Sequence, residues 1–401
     1  MPENLLRETW ATQLDPTELC LVLRERMGDT GQFDGRSDVL YLPQAREKCR
    51  VSLRYKNAEI VAVEPGAAFD HAEWEQICAE IEGSILSGPR KVGRALSFNS
   101  HRVEGWWRGA QSGVQILRPP DDAPRAPFEM ADHPFILEFP IQEASLWSVT
   151  SHRWIREHHR LTLLLNLLLV GATRFLPAQQ RHYWANVRHD GVEIKWVQEY
   201  YSVNFGEVIA SELSRPTGGE LEEVASEEYY KAVGHDGSGL RVPDDLDESI
   251  CRYRSLSPAL RAKFDRATYW MNMALRQGYD SMSASFASLV SSAEALTAKS
   301  TKHSVYCEEC NKSISHDAPG ATEKFRAFFE KYAPGAGLQA RRSKMYKVRS
   351  NILHGSDLMQ LDLGGVLVFG LPWWNERELY NELWSLLRIA ARNWLRNPPA
   401  E

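Results

Sequence analysis

The spacing of apolar residues changes character along the chain. Up to about residue 201 it switches between a period of two and a period near 3.6. Residues 49–63 (CRVSLRYKNAEIVAV) alternate on either side of Lys56-Asn57-Ala58, which predicts a β-hairpin. Over 69–86, Phe69, Trp74, Ile77, Cys78, Ile81 and Ile85 have helical spacing, and the acidic 70–74 start suits a first turn. Strands are predicted over 95–98, 114–117 and 134–140, with Pro119, Pro120, Pro124 and Pro127 marking a loop between the last two. Residues 151–175 read as one long helix, with Ser151 as its N-cap and Pro177 after its end. Asp190-Gly191 then stands between two alternating runs within 183–201, the strongest short hairpin signal in the chain. The order β, α, β, long α, β predicts an α+β domain over 1–205.

From 206 to 254 the pattern fades. Gly218-Gly219, Gly234, Gly237 and Gly239 punctuate a stretch with little apolar period beyond a candidate helix over 221–233. An acidic linker is expected here. From 255 to 401 the period is helical again. Pro258 suits a first-turn position, and Leu260, Phe264, Ala267, Trp270, Met271 and Ala274 trace one face. Further helices are predicted over about 280–298, 322–332, 338–354 and 375–395, with Gly355 as the stop of the third of these and 361–371 as an extended strap. The fold class is therefore multi-domain: an α+β N-terminal domain followed by an all-α helical bundle over 255–401.

Composition adds limits. The chain has 401 residues, 43% hydrophobic and 25% charged, which excludes wholesale disorder and fits two or three domains. The longest apolar run, 161–173, is interrupted by Asn166 and is shorter than the roughly 18–20 residues a membrane-spanning helix needs. The opening MPENLLRETW lacks a secretory apolar region. Six cysteines, only Cys307 and Cys310 closely paired, do not make a disulfide framework, so a reducing cytoplasm is expected. The net charge of −6 hides an asymmetry: 206–250 holds 12 acidic against 3 basic residues, whereas 255–401 holds 19 basic against 14 acidic. There is no polybasic tail, so charge by itself argues neither for nor against a nucleic-acid partner.

The densest chemistry lies in 341–355. Arg341, Arg342, Lys344, Lys347 and Arg349 place five basic residues in nine positions. On a helix Arg342 and Arg349 share a face. His354 follows Arg349 by five residues, about 140° round the axis. An arginine can hold a phosphate bidentately and stabilise charge developing on it, and a histidine titrates near neutrality and can move protons. The pair therefore suits phosphodiester chemistry. The same spacing also occurs where an arginine meets a carboxylate and a histidine closes a helix C-terminus.

The string YKVRSNILHG in this helical context resembles the Arg-x4-His signature of HEPN domains, closest to the Apea-like subgroup. The preceding SFASLVSSAEALTAK, an apolar run leading to Glu-Ala-Leu, is similar to that subgroup as well. The resemblance covers 255–401. It implies an all-α bundle that dimerises so that two motifs meet in one cleft. Many such proteins are metal-independent endoribonucleases, in which the RNA 2′-hydroxyl attacks the adjacent phosphate and no catalytic metal is required. It then implies His354 as general acid/base, Arg349 as the group stabilising the phosphorane and Asn351 as a phosphate-positioning residue. Arg342, Lys347 and Ser350 are the candidate RNA contacts. Ser350 stands where active nucleases often carry Asn, Asp or His. Some members are instead dimerising or nucleotide-binding modules without catalysis, and that is the alternative. The resemblance also implies a cytoplasmic toxin or defence effector.

A second constellation is His303-x3-Cys307-x2-Cys310-x5-His316. Cys-x2-Cys is a common zinc knuckle, and two imidazoles nearby would complete four ligands for one structural Zn²⁺ that stiffens a loop insertion. A free thiol pair, a redox pair and a knuckle shared across a dimer are the alternatives. His152, Arg156, His159 and Arg160 share one face of the 151–175 helix, and are expected to form its solvated first half. The 13 tryptophans, among them Trp106-Trp107 and Trp373-Trp374, are expected mainly in cores and interfaces. Motifs for phosphate-loop hydrolysis, dinucleotide binding, zinc proteolysis and α/β-hydrolase chemistry are absent from the sequence.

Overall fold

The protein is described by a computed structural model, for residues 15–27, 32–33, 37–41, 50–56, 59–66, 70–86, 88–119, 131, 133–175, 183–189, 194–200, 208–230, 239–278, 280–297, 301–309, 311–335, 337–363 and 372–400. The chain divides into two compact units. One comprises Met1–Gly93, Phe139–His158 and Ile209–Leu213, and the other Arg94–Glu138, His159–Val208 and Ser214–Glu401.

In the first unit, α1 (Pro16–Met27) starts behind Asp15, whose side chain accepts the Thr17 N–H at 2.7 Å. Strands β1 (Gln32–Phe33), β2 (Ser37–Tyr41), β3 (Arg50–Lys56) and β4 (Glu59–Pro65) form an antiparallel sheet in sequential order. The expected hairpin is β3–β4, closed by the pair Lys56↔Glu59; its tip, 57–58, lies outside the described residues. Helix α2 (His71–Leu86) follows. Leu19, Val22 and Leu23 of α1, Val51 and Leu53 of β3, Val63 of β4 and Cys78 and Ile81 of α2 pack into one core. The period-two and period-3.6 patterns point at the same buried layer, which is why these elements form together.

Next come β5 (Arg90–Asn99), β6 (Trp107–Arg108), β7 (Gln115–Leu117) and β8 (His133–Gln142). Helix α3 (Trp147–Leu168) follows, then β9 (Thr173–Phe175), β10 (Tyr183–His189), β11 (Ile194–Tyr200) and β12 (Ile209–Ala210). One six-stranded sheet runs β12-β5-β8-β7-β6 with β9 pairing β5, and β5 and β8 contribute residues to both units. The β10–β11 hairpin occurs where expected, although Asp190-Gly191 itself lies outside the described residues.

Helix α3 ends at Leu168, earlier than expected. Gly171 has φ +124°, which breaks the helix, and Asn166 turns its side chain onto Thr173. The Asn166 Oδ1 accepts the Thr173 N–H at 2.6 Å and its amide donates to the Thr173 carbonyl at 3.0 Å, starting β9. The first half of α3 is not simply solvated. Arg153 makes two hydrogen bonds to Glu18, at 3.1 and 3.0 Å, and both side chains are nearly buried. Arg156 pairs with Asp15 at 2.6 Å, beside His152. The acidic start of α1 is the counterpart that the helical pattern alone did not reveal.

The second unit holds the rest. Strands β13 (Glu223–Val224) and β14 (Val242–Pro243) pair in parallel, with the short α4 (Ser226–Tyr229) after β13. Helices α5 (Leu246–Ser255), α6 (Pro258–Gln277) and α7 (Met282–Leu296) follow, then a hairpin of β15 (Thr301–Cys307) and β16 (Lys312–Ala318). Helices α8 (Ala321–Tyr332) and α9 (Gln339–Leu353), a 3₁₀ turn (Gln360–Leu363) and α10 (Pro372–Arg396) complete the chain. The chain is thus mixed α/β with a helical C-terminal region. Among the described residues no helix is long and apolar enough to cross a membrane.

Two expectations change. The bundle region is not purely helical, because the Cys-containing insertion folds as the β15–β16 hairpin. The acidic stretch is not a detached linker. Leu221, Tyr229, Tyr230, Leu240, Val242, Leu246 and Ile250 are buried, and several of its carboxylates have specific partners. Asp244 accepts the Ser226 N–H at 2.9 Å, Asp247 accepts the Gln111 and Ser112 N–H groups, and Glu223 accepts from the Trp107 indole at 3.1 Å. Asp245 takes Arg392 at 2.6 Å and Arg396 at 2.8 Å. The acids that made the segment look solvated are hydrogen-bond acceptors for the helices and turns around it.

In the helical region Ser257 and Ser281 cap α6 and α7, accepting the N–H groups of Leu260 and Ala284. Phe264 stacks on the fully buried Trp394, ring centres 5.6 Å apart. Asp362 clamps the start of α7, accepting from the Ser281 hydroxyl and from the Met282 and Ser283 N–H groups at 2.7–2.9 Å.

Two outcomes are expected. Asp245→Ala leaves the buried Arg392 guanidinium without its carboxylate and costs about 3–5 kcal/mol in urea unfolding. A loss under about 1 kcal/mol would mean that this segment is a linker after all. Partial burial raises the Asp362 pKa, but the hydrogen bonds from Ser283, Met282 and Ser281 outweigh it and hold the carboxyl below its ordinary value. It therefore adds stability above the unfolded aspartate pKa near 4, which is lost as pH falls through the folded value. In melts from pH 6 to pH 3 the wild type should lose more midpoint temperature than Asp362→Asn; parallel curves would contradict the clamp.

Candidate functional site

Helix α9 shows how its sequence is divided among environments. Arg342, Met345 and Tyr346, at the i, i+3, i+4 spacing, face inward and are buried. Arg349 continues that face by one turn and is half-buried. Lys344 and Lys347 point outward and are exposed. The helix stops at Leu353, and Gly355 takes φ +69° after His354 as the C-cap residue. The backbone N–H groups of His354, Gly355 and Ser356 return to the carbonyls of Ser350, Ile352 and Asn351 at 3.0 Å, which fixes the turn.

Arg349 is held from two sides. Its Nη2 donates to Glu294 Oε2 at 2.7 Å, and its guanidinium lies 5.6 Å from the centre of the Tyr346 ring. The Tyr346 hydroxyl donates to the other Glu294 oxygen at 2.8 Å, and the Tyr346 ring leans on Phe325 of α8, centres 5.4 Å apart. Burial raises the phenol's pKa, and the hydrogen bond and charge of Glu294 raise it further, so Tyr346 stays a donor. Glu294 comes from the last turn of α7. Side-chain exposures of 22% for Arg349 and 27% for Glu294 leave the pair reachable from solvent. Arg349 Nε has no hydrogen-bond partner among the described residues and is sealed from solvent, so the exposed part of the side chain lies elsewhere on the guanidinium and stem.

His354 is exposed. It lies about 7.5 Å along the helix axis from Arg349, at 1.5 Å per residue. Asn351 and Ser350, between them, are half-buried. The structure thus keeps Arg349, Ser350, Asn351 and His354 on one helix end and sets Lys347 one turn back on the exposed side. Arg342 is a correction. It is 1% exposed and its Nη2 donates to the Ala333 carbonyl at 2.6 Å, so it does not offer RNA a direct contact. Arg341 is also engaged, by Glu382. Of the five basic residues, Lys344 and Lys347 are exposed and make no ion pair among the described residues.

Sequence reasoning did not place Glu294 and Tyr346 in the site. The signal was present: Glu294 is the single charged residue of α7, MSASFASLVSSAEAL. A lone carboxylate on an otherwise apolar helix calls for a partner.

The proposed metal ligands occupy the hairpin. His303 pairs directly with His316, and Cys307 pairs with Lys312 at the other end. Four residue steps of strand lie between the backbone of His303 and that of Cys307, about 13 Å at 3.3 Å per residue. Cys310 lies outside the described residues, as do the side chains of His303, Cys307 and His316. At the tip Asn311 has φ 52° and accepts the Tyr306 hydroxyl at 2.8 Å.

The shared carboxylate makes a measurable link. In Glu294→Gln the Tyr346 phenol should titrate at lower pH than in wild type, read from ring-carbon NMR shifts with Tyr346→Phe as the assignment control. An unmoved titration would refute the Tyr346–Glu294 contact. Compared with known proteins, the chain matches no family model, no curated protein and no solved structure.

Proposed function

We propose that the helical C-terminal region is a HEPN-like bundle acting as a metal-independent endoribonuclease, with Arg349 and His354 as its catalytic pair. One observation carries this reading: a fixed, half-exposed guanidinium and an exposed imidazole share one helix end. Arg349 is oriented by Glu294 and Tyr346, and the part of its guanidinium that solvent reaches can receive a phosphate oxygen. His354 accepts the proton of the attacking 2′-hydroxyl or returns one to the departing 5′-oxygen, each in turn. The products are a 2′,3′-cyclic phosphate and a free 5′-hydroxyl, so protons balance without added water. Asn351 positions the phosphate, and Lys347, with Ser350, contacts the neighbouring backbone. Exposed Leu353, Leu358 and Leu363 around the motif support pairing of two copies there.

A second reading has its own support. Glu294 already neutralises Arg349, which suits a structural ion pair in a dimerising or RNA-binding module without catalysis. A structural zinc at the hairpin tip remains part of either proposal, with Cys307 and Cys310 as thiolate ligands. His303 and His316 are the proposed third and fourth ligands.

Purified full-length protein is expected to cleave RNA with EDTA present, leaving 2′,3′-cyclic phosphate ends. A parallel run without EDTA guards against loss of a structural metal. His354→Ala and Arg349→Ala should each lower the rate by about 10²-fold or more while thermal melting is unchanged. RNA retention without cleavage by the wild type would favour the module, and cleavage unaffected by both substitutions would sink the assigned site.

A further inference from the structure

Helix α6 has two unlike faces. Leu260, Phe264, Ala267, Met271 and Ala274 are buried; Phe264 stacks on Trp394, and the Ser292 hydroxyl of α7 donates to the Ala267 carbonyl at 2.7 Å. The opposite face carries Arg266, Tyr269, Met273 and Arg276, at the i, i+3, i+7, i+10 spacing that keeps side chains on one stripe. Trp270 flanks that stripe. Apolar spacing predicts it among the buried residues, but it is 38% exposed, and Tyr269 beside it is 47% exposed. The two rings meet edge to face, with centres 5.7 Å apart and planes at 77°. An edge-to-face pair uses a single ring face, which leaves the other faces for stacking.

The charge on this face has one sign. Arg266 and Arg276 are exposed and make no ion pair among the described residues. They stand about 15 Å apart along the axis. The single carboxylate of α6, Asp265, is already engaged: it accepts the Tyr253 hydroxyl at 2.6 Å and faces Arg160 at 3.8 Å. Packing of α6 needs neither the outer rings nor these arginines, because its buried stripe is filled without them. Exposed rings between unpaired guanidinium groups match a single nucleic-acid strand, whose phosphates meet the cations and whose bases stack on the rings. An acidic protein segment would answer the charge and leave the rings unused.

We propose that this face of α6 binds single-stranded RNA, with phosphates on Arg266 and Arg276 and bases on Tyr269 and Trp270. The proposal rests on RNA being the ligand of the helical region, but not on cleavage, and it uses neither Arg349 nor His354. Phosphate contacts and stacking carry little sequence information, so binding here should tolerate many sequences.

The test is fluorescence anisotropy of the full-length protein with a labelled 2′-O-methyl RNA of about 12 nucleotides, which lacks the nucleophile for cleavage, over about 50 to 200 mM salt. Arg266→Gln/Arg276→Gln should weaken binding by about tenfold or more. It should also lower the slope of log affinity against log salt by about 1.4, at about 0.7 per phosphate contact. Tyr269→Ser should weaken binding by about fivefold or more and leave that slope unchanged, because stacking releases no counterion. These side chains are exposed, so melting temperatures should match wild type. No binding by wild type, or wild-type affinity in either variant, would overturn the proposal. So would loss of self-association by Tyr269→Ser in sedimentation with RNA binding intact, which would assign the face to a second copy. Binding that falls in both variants, in a protein that cuts no RNA, would uphold this surface and remove the nuclease. Cleavage abolished by His354→Ala, with unchanged binding in both α6 variants, would do the reverse.

Discussion

A single buried carboxylate fastens the middle of the chain to its end. Asp245 meets Arg392 and Arg396 of the last helix at 2.6 and 2.8 Å, in a place where Asp245 and Arg392 are each only 7% exposed. A carboxylate there is tolerated only with such partners. Each partner is committed further. Arg392 also donates to the Ser226 hydroxyl and lies 5.0 Å from the centre of the Tyr230 ring. Tyr230 in turn donates to the Leu168 carbonyl at 2.8 Å, and burial with the Asp245 charge pushes its phenol up, so it stays protonated. One polar set thus ties the last helix, the acidic segment and the end of α3. The apolar contacts beside it, such as Phe264 on Trp394, supply more burial, but they do not fix register. Directional bonds that are expensive to leave unmade do.

The candidate site applies the same chemistry closer to solvent, and the difference in burial changes its consequence. At Asp245 the charges are sealed and committed. At Glu294 the carboxylate is shared between a phenol and a guanidinium that solvent still reaches. Guanidinium has five N–H donors in a plane, and Glu294 occupies one nitrogen. Tyr346 and Glu294 fix the orientation of that guanidinium while leaving part of the side chain exposed. That preorganisation is what an arginine needs to act on charge that develops late in a reaction.

Much of the fold was legible, and the failures share a cause. Helices α2, α6, α7, α8, α9 and α10 follow from apolar spacing, with Gly355 marking the end of α9 as capping chemistry requires. Strand pairs β3–β4 and β10–β11 follow from alternation. What was missed depended on partners distant in sequence. Nothing local to Asp245 shows that Arg392 waits 147 residues later. Nothing local to Arg153 shows Glu18, and the early end of α3 rests on an asparagine reaching a threonine across a glycine. Acidic composition suggests solvation, but in a folded chain it equally supplies acceptors. The Cys-containing insertion gives little strand signal, because TKHSVYC and KSISHDA carry weak alternation and few large apolar residues.

Helix α9 makes the point about charge most directly. Five basic residues in nine positions suggest a cationic surface, and Arg342 with Arg349 on one face suggest a paired phosphate grip. Met345 and Tyr346 lie on that face too, and they decide it, because a helix buries its large apolar stripe. The arginines on the stripe must therefore be buried, paired or both. Arg342, in the middle, is buried against a carbonyl; Arg349, where the stripe runs out, stays partly exposed beside a carboxylate. Position along the buried face, rather than membership of a basic run, separates a structural arginine from one that can meet a ligand. The same gradient puts His354 beyond the last turn, where backbone bonds hold the chain and the side chain stands exposed.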